Sequence, residues 1–195
     1  MSGGLAVAIL AAGSARRFGG GKLDADCAGK PLGAWALEAA QALDPDALGV
    51  VVSDEAPHFV GTAELVRNPY AAHGLGTSAS AAARWAIDRE ADSLLVMLAD
   101  MPLVSPATLR SLVEGDLPSA VAYPGGRPGV PACFPAAMLP RLAALGGEEG
   151  AALLLRGRSD VRLVECDPEE LRDVDRPEDL AAMERALRGP LSNSD

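Results

Sequence analysis

The sequence predicts an α/β fold, a three-layer αβα sandwich around a mostly parallel sheet. Two observations carry that expectation. Short continuous apolar runs, of the kind that fill strands buried on both faces, recur along the chain. Between them lie segments whose apolar residues return every three or four positions, and strands alternating with helices build parallel sheets. No internal repeat or linker interrupts the pattern. The 195 residues therefore read as one domain over 1–195, with its core at about 5–188 and disordered ends at Met1–Gly4 and Gly189–Asp195.

Leu5–Leu10 (LAVAIL) is the first strand, and a loop rich in Gly and Arg follows from Ala11 to Lys22. Pro31–Leu43 has helical spacing, with Pro31 suited to the first turn. Leu48–Val52 and Glu64–Arg67 read as strands, and Thr77–Asp88 as an Ala-rich helix. Ser93–Ala99 is another fully buried strand, ending at Asp100. Ser105-Pro106 is a helix start, a capping hydroxyl followed by proline. Ala120–Tyr123 is a short strand, and Gly125–Pro131, with three Gly and two Pro, reads as a loop. Helices are expected at Pro135–Leu145, Glu148–Arg156 and Pro177–Leu187, with a late strand at Val161–Glu165.

Composition excludes several classes of function. A net charge of −10 opposes a nucleic-acid partner, which needs a basic surface, and opposes anionic membranes. A small phosphate ligand is still compatible, because a pocket needs only a few local cations. The three cysteines, Cys27, Cys133 and Cys166, are scattered, and only two histidines occur. That argues against zinc and a disulfide framework and points to a reducing cytoplasm. The apolar run from Leu5 stops at Ala12 and lacks a basic flank, so it reads as a strand and not as a signal or a membrane span.

Ligands of open α/β sheets bind beyond the carboxyl ends of the strands, and two such ends here are chemically loaded. The first strand runs through Leu10-Ala11-Ala12-Gly13 into a loop containing Arg16, Arg17, Gly19-Gly20-Gly21 and Lys22, with Lys30 beyond. Glycines let backbone N–H groups approach an anion, and the cations add charge, although a solvated surface loop explains the same residues. Neither a Walker A nor a Rossmann G-x-G-x-x-G pattern fits. The second end is Asp100-Met101-Pro102. A strand-end carboxylate can hold Mg²⁺ against substrate phosphates, or it can simply cap N–H groups in the turn.

These residues, taken in order, resemble a known family. L-A-A-G with Arg17-Phe18-Gly19 and Lys22-Leu23, then Gly29-Lys30-Pro31-Leu32, then Asp100-Met101-Pro102, is similar to the MobA-like nucleotidyltransferases that act on molybdopterin, above all the molybdopterin cytidylyltransferases. Asn68-Pro69 with Gly74–Ser78, Gly129–Pro135, Gly146–Ala151 and Asp173–Leu180 resemble that family's later blocks. Asp24 and Asp26 depart from it, being acidic neighbours of the phosphate cations, and Arg176 replaces a common Thr.

The resemblance implies a Rossmann-like sheet of the nucleotide-diphospho-sugar transferase type and transfer of a nucleotide from an NTP to a phosphorylated acceptor, with release of pyrophosphate. It implies catalytic roles for Arg17, Lys22 and Asp100, and nucleotide binding by Leu10, Ala11, Ala12, Gly13, Gly76, Thr77 and Ser78. Mg²⁺ would be held by Asp100 with Asp173 or Asp175. Structural roles compete for several of these residues. Asp175 with Glu178 makes a capping box, and Thr77 and Ser78 can cap the helix that follows. Trp35 and Trp85 read as helix positions in or near the core, and His73 as a loop residue. L-A-A-G, as opposed to L-A-G-G, favours CTP over GTP. Molybdopterin is the favoured acceptor, and a molybdoenzyme or its chaperone is the protein partner such an enzyme implies. A sugar phosphate, methylerythritol phosphate or guanylyl transfer would keep the chemistry, and a non-catalytic nucleotide-binding protein is the reading from another class.

Overall fold

A computed structural model describes residues 4–13, 18–61 and 63–188. The predicted αβα arrangement is present. Seven strands form one sheet in the order β5-β4-β1-β6-β8-β7-β9: β1 (Leu5–Leu10), β4 (Ala47–Val52), β5 (Glu64–Arg67), β6 (Ser93–Leu98), β7 (Ser119–Tyr123), β8 (Arg127–Pro135) and β9 (Arg162–Val164). A two-residue hairpin, β2 (Asp26–Cys27) with β3 (Lys30–Pro31), stands apart. β5, β4, β1 and β6 are mutually parallel, β8 runs against both of its neighbours, and β7 pairs parallel with β9. Leu10 is in register with both Val51 and Leu98, so β1, β4 and β6 end flush at one edge.

The apolar strands are buried on both faces because each face has its own cover. Ala6, Ala8, Val51, Leu94 and Val96 pack under α2 (Leu75–Asp88) and α4 (Leu139–Ala143). Val7, Ile9, Val50, Leu95 and Met97 pack under α1 (Leu32–Gln41) and α3 (Pro106–Val113). A third, small core joins Cys27, Leu32 and Val174 to Met183 of α5 (Pro177–Arg188). It ties the chain's return segment to the first half of the molecule. Trp85 is in the core at 6% exposure, and half-buried Trp35 donates Nε1–H to Cys27 O at 2.9 Å, as expected of helix positions.

Four local expectations are corrected. Gly125 and Gly126, at φ 82° and 70°, make only the turn, and a strand begins at Arg127 where a loop through Pro131 is predicted. Its prolines are tolerated for separate reasons. The ladder from β6 reaches only Ala132, so Pro128 lies beyond it. Pro131 falls where the β7 register shifts between Ala120 and Val121, and a bulge needs no N–H from every residue. β8 also consumes Pro135, leaving a 3₁₀ turn at Ala136–Met138 and a helix only over Leu139–Ala143 in place of Pro135–Leu145. The expected helix at Glu148–Arg156 is a 3₁₀ turn at Ala151–Leu155, because Gly146-Gly147 docks on the start of α2, where Gly76 N donates to Gly147 O at 2.9 Å. Gly4, expected in a disordered end, accepts from Asp92 N at 3.1 Å. Residues 1–3 and 189–195 lie outside the described residues.

Candidate active site

The carboxyl edge of β1 and β6 assembles the site. Ala99 N donates to Leu10 O at 3.1 Å and Ala11 N to Val51 O at 2.8 Å, so the L-A-A-G segment and Asp100 leave the sheet side by side. Lys22 opens a 3₁₀ turn, Lys22–Asp24, that follows three glycines with positive φ (Gly19, Gly20 and Gly21). Glycine alone adopts that conformation readily. From there the Lys22 ammonium donates to Asp100 Oδ2 at 2.6 Å and to Val174 O at 2.8 Å. Val174 N in turn donates to Asp100 O at 3.1 Å. Residues 78 and 152 positions apart in the chain are thereby locked together. The Lys22 and Asp100 side chains are 12% and 21% exposed, so the pair is screened less than a surface pair.

Asp173 joins this cluster electrostatically. Its carboxyl is pushed up from the ordinary aspartate range, first by desolvation and then by the charge of Asp100, with Asp175 adding and Lys22 opposing. Val174, between the two late acids, is fully buried. The carboxylate that reaches back to the start of α5 is not the expected Glu178. The reaching carboxylate belongs to Asp179, which accepts from Arg176 N at 2.8 Å and Asp175 N at 3.0 Å, while Glu178 lies 3.8 Å from Arg176. Position, not composition, decides this, since Arg176 directly precedes Pro177 at the start of the helix.

Two joined cavities run from the cluster toward α2. One, of about 600 Å³, is lined by Ala11, Gly13, Gly20, Gly21, Lys22 and Ser53 among others. The other, of about 380 Å³, is lined by Ala12, Gly13, Ser53, Gly74, Ser78 and Glu148 among others. Gly13 and Ser53 belong to both, so together they form one cleft at the mouth of β1 and β4. Of the predicted nucleotide-binding residues, Ala11, Ala12, Gly13 and Ser78 line this cleft. Leu10 ends β1 beneath it. Gly76 and Thr77 are turned to other duties. A Cβ on Gly76 would lie 2.6 Å from Gly146 O, and Thr77 Oγ1 donates to Gly74 O at 2.8 Å and accepts from Asn68 Nδ2 at 3.0 Å. The same buried Asn68 amide donates to Ser78 Oγ at 3.0 Å and so fixes the orientation of that hydroxyl.

The acids that depart from the family pattern are engaged by backbone N–H groups, although Asp24 shares the lining of the larger cavity with Lys22. Asp24 accepts from His58 N and Phe59 N, each at 3.0 Å, and Asp26 accepts from Gly29 N at 3.0 Å. Lys30 lies away from the cleft, over the Trp35 ring and paired with Glu38. His73 closes a 3₁₀ turn. Arg16 and Arg17 lie outside the described residues. Ser53 and Glu148 are cleft residues that the sequence reading missed. Ser53 follows a buried strand and was findable by the strand-end rule, whereas Glu148 arrives through the docking of a distant turn.

A divalent ion fits the chemistry of this donor set. Among the described residues no group of three or more metal-ligating side chains is gathered. Mg²⁺, however, is commonly held by one or two carboxylates plus substrate phosphates. Asp100 already holds a cation, the Lys22 ammonium, on one of its oxygens, and Asp173 stands within its field.

Parallel strands that deliver a cation and a carboxylate to one another beside a glycine-lined cleft suit a nucleotidyltransferase. The chain is one: it belongs to the family of the MobA-like NTP transferase domain, which it matches over residues 7–164. The purine catabolism protein PucB of Bacillus subtilis is 32% identical over 195 aligned residues, covering 92% of this chain and 95% of the relative. A crystal structure from Mycobacterium sp. strain JC1, a homologue of Mycobacterium tuberculosis rv0371c, superposes with a TM-score of 0.77 at 27% identity, covering 93% of this chain and 98% of the other. A nucleotidyl transferase from Methanothermobacter, Mth528, shares the fold at a TM-score of 0.77 and 24% identity, with 95% and 98% coverage.

Proposed function

We propose that this nucleotidyltransferase works in the cytoplasm and transfers CMP from CTP to molybdopterin, with Mg²⁺ as its cofactor. The observation that carries the reading is Lys22 paired with Asp100 at the mouth of the cleft, beside Asp173. An oxygen of the acceptor phosphate attacks the α-phosphorus of CTP. The bond from that phosphorus to the α–β bridging oxygen breaks, and pyrophosphate leaves with the electron pair. No protein nucleophile is required, since positioning and charge neutralisation suffice.

Asp100 and Asp173 are the residues that would hold Mg²⁺, which when bound neutralises charge on the α-phosphate. Lys22, released from Asp100, reaches the departing pyrophosphate, and Arg17 adds charge from the same loop. The larger cavity, with Gly20, Gly21 and Lys22, takes the triphosphate, and the smaller one takes the nucleoside. Ala12, 7% exposed, narrows the smaller cavity with its methyl group, which favours a pyrimidine. Glu148 on its wall is an acceptor for the exocyclic amino group of cytosine. Ser53 and Ser78 offer hydroxyls to the nucleoside, and Gly76 and Thr77 hold the α2 terminus in place behind them.

The test is pyrophosphate release from each NTP, with and without molybdopterin. CTP with molybdopterin is expected to be the fastest combination. A clear wild-type preference for GTP, or release with a sugar phosphate and none with molybdopterin, overturns the assignment.

A further inference from the structure

A third cavity, of about 390 Å³, opens at the same edge of the sheet but on the far side of Asp100 from the nucleotide cleft. β7 and β9 run parallel to each other, and β7 points the same way as β6 because each is antiparallel to β8. The carboxyl ends of β7 and β9, at Tyr123 and just before Glu165, therefore face the same side as Asp100. The cavity lies beyond these two ends, between the tip of the β7–β8 hairpin and the chain leaving β9.

Chain connectivity ties this cavity to the catalytic pair. Leu171 lines it, and Val174, three residues on, is bonded to both Lys22 and Asp100. Three residues span at most about 11 Å when fully extended. Tyr123 also lines it. Its hydroxyl donates to Val130 O at 3.1 Å, and its ring covers Gly129, where an added Cβ would lie 2.1 Å from a ring carbon. The absent side chain at Gly129 is thus what lets the ring lie against the backbone of β8. The Tyr123 phenol is pushed up by burial and then by Asp173, Cys166 and Asp100, so the ring sits within the field of both the cavity and the catalytic acids.

The lining excludes a phosphate. Beyond Tyr123 and Leu171 it offers Ala122, the hairpin glycines Gly125 and Gly126, two prolines, Cys166 and the Glu165 carboxylate, and no cationic side chain. Resting on the proposed transfer to a phosphorylated acceptor, we infer that this cavity holds the acceptor's body, a flat N–H-bearing heterocycle laid on Tyr123, while its phosphate extends toward Lys22 and Asp100. The ring supplies an apolar face and Glu165 accepts N–H groups.

Cys166 gives a direct reading of occupancy. It is half-buried on the cavity wall, whereas Cys27 and Cys133 are 0% and 6% exposed. Its thiol is raised by burial and by Glu170, Asp167 and Glu165, so iodoacetamide labelling of the full chain is run at mildly alkaline pH and followed by mass spectrometry. Molybdopterin is expected to slow labelling of Cys166 at least about fivefold, and CTP with Mg²⁺ alone to leave it unchanged. The variant Cys166→Trp, which fills the cavity, is expected to raise the acceptor KM about tenfold or more with the CTP KM unchanged. Tyr123→Leu, which removes the ring, is expected to behave as Cys166→Trp does. Pyrophosphate release with molybdopterin but no protection of Cys166 and no KM effect overturns this inference and leaves the proposed function standing. Release and protection with a sugar phosphate, and with no pterin, overturns both the proposed acceptor and the heterocycle.

Discussion

The two halves of the sheet's working edge are built differently. On one side, β5, β4, β1 and β6 are parallel, and residues following β1 and β4 line the proposed nucleotide cleft. On the other side, one reversed strand, β8, separates β6 from the parallel pair β7 and β9. The parallel half provides a cleft built around one local segment, L-A-A-G and a glycine run ending in Lys22, which Ser53, Ser78 and the distant Glu148 complete. The mixed half provides a cavity between two segments distant in the chain, the β7–β8 hairpin with Tyr123 laid over Gly129 and the return segment from Glu165 to Leu171. Lys22 crosses between them, holding Asp100 of the first and Val174 of the second. In the proposed function, reaction chemistry belongs to the seam between the halves, and each half sets one substrate.

The sharpest way to break this division is at the seam. Asp100→Asn is expected to keep the fold and lose roughly 10²-fold or more in transfer rate. Near-normal turnover at saturating Mg²⁺ would refute the site. Next in size is the cation set. Lys22→Ala and Arg17→Ala should each impair NTP use more than Lys30→Ala, because Lys30 is engaged with Trp35 and Glu38 away from the cleft. Steady-state kinetics on the three variants decide it, and a most damaging Lys30→Ala would relocate the phosphate site.

Base choice is expected to respond to Ala12 in the smaller cavity. Ala12→Gly should relax the preference for CTP over GTP without inverting it, since one methyl group is typically worth about 1–3 kcal/mol. Competition kinetics measure this, and an unchanged ratio would remove Ala12 from the base pocket.

Two smaller effects separate the late acids. Asp179→Ala should cost about 1 kcal/mol through loss of the bonds to Arg176 N and Asp175 N, visible as a lower Tm with transfer kinetics little changed. Asp173 carries the opposite sign. Its folded-state pKa is raised, so its ionised form costs stability, and that cost appears as pH climbs from the ordinary aspartate range, about 3.9, through the raised value. Asp173→Asn should accordingly melt slightly higher than wild type at neutral pH while losing activity, and the gain should vanish below that range. A variant less stable than wild type at neutral pH would contradict the raised pKa.

Legibility followed locality. The buried strands were readable because an apolar run bounded by turns leaves few alternatives, and Leu5–Leu10 was placed to the residue. Ser105 was readable as a cap because Ser-Pro states its own geometry, and its side chain does accept from Thr108 N at 3.2 Å. β8 was not readable, since its prolines argue against a strand until the register shift and the short β6 ladder are known. The carboxylate that reaches back to the start of α5 was misread because Asp175/Glu178 and Arg176/Asp179 have the same spacing, and only the path of the backbone selects between them.

By itself, the sequence determined the α/β class, the parallel strands, the glycine loop and the identity of Lys22 and Asp100 as candidate reactants. The first three are properties of neighbouring residues, set by hydrophobic period and turn chemistry within a short window, and Lys22 and Asp100 come from the family resemblance of their blocks. Tertiary structure alone decided that Lys22 meets Asp100 and Val174, that Asp173 feels Asp100, and that Glu148 enters the cleft. These are contacts between segments far apart in the chain, and nothing local to either partner encodes them. They exist because a buried Val174 anchors the return segment beside Cys27, Leu32 and Met183, and because Gly74 and Gly76 lack the side chains that would hold the 146–149 turn away.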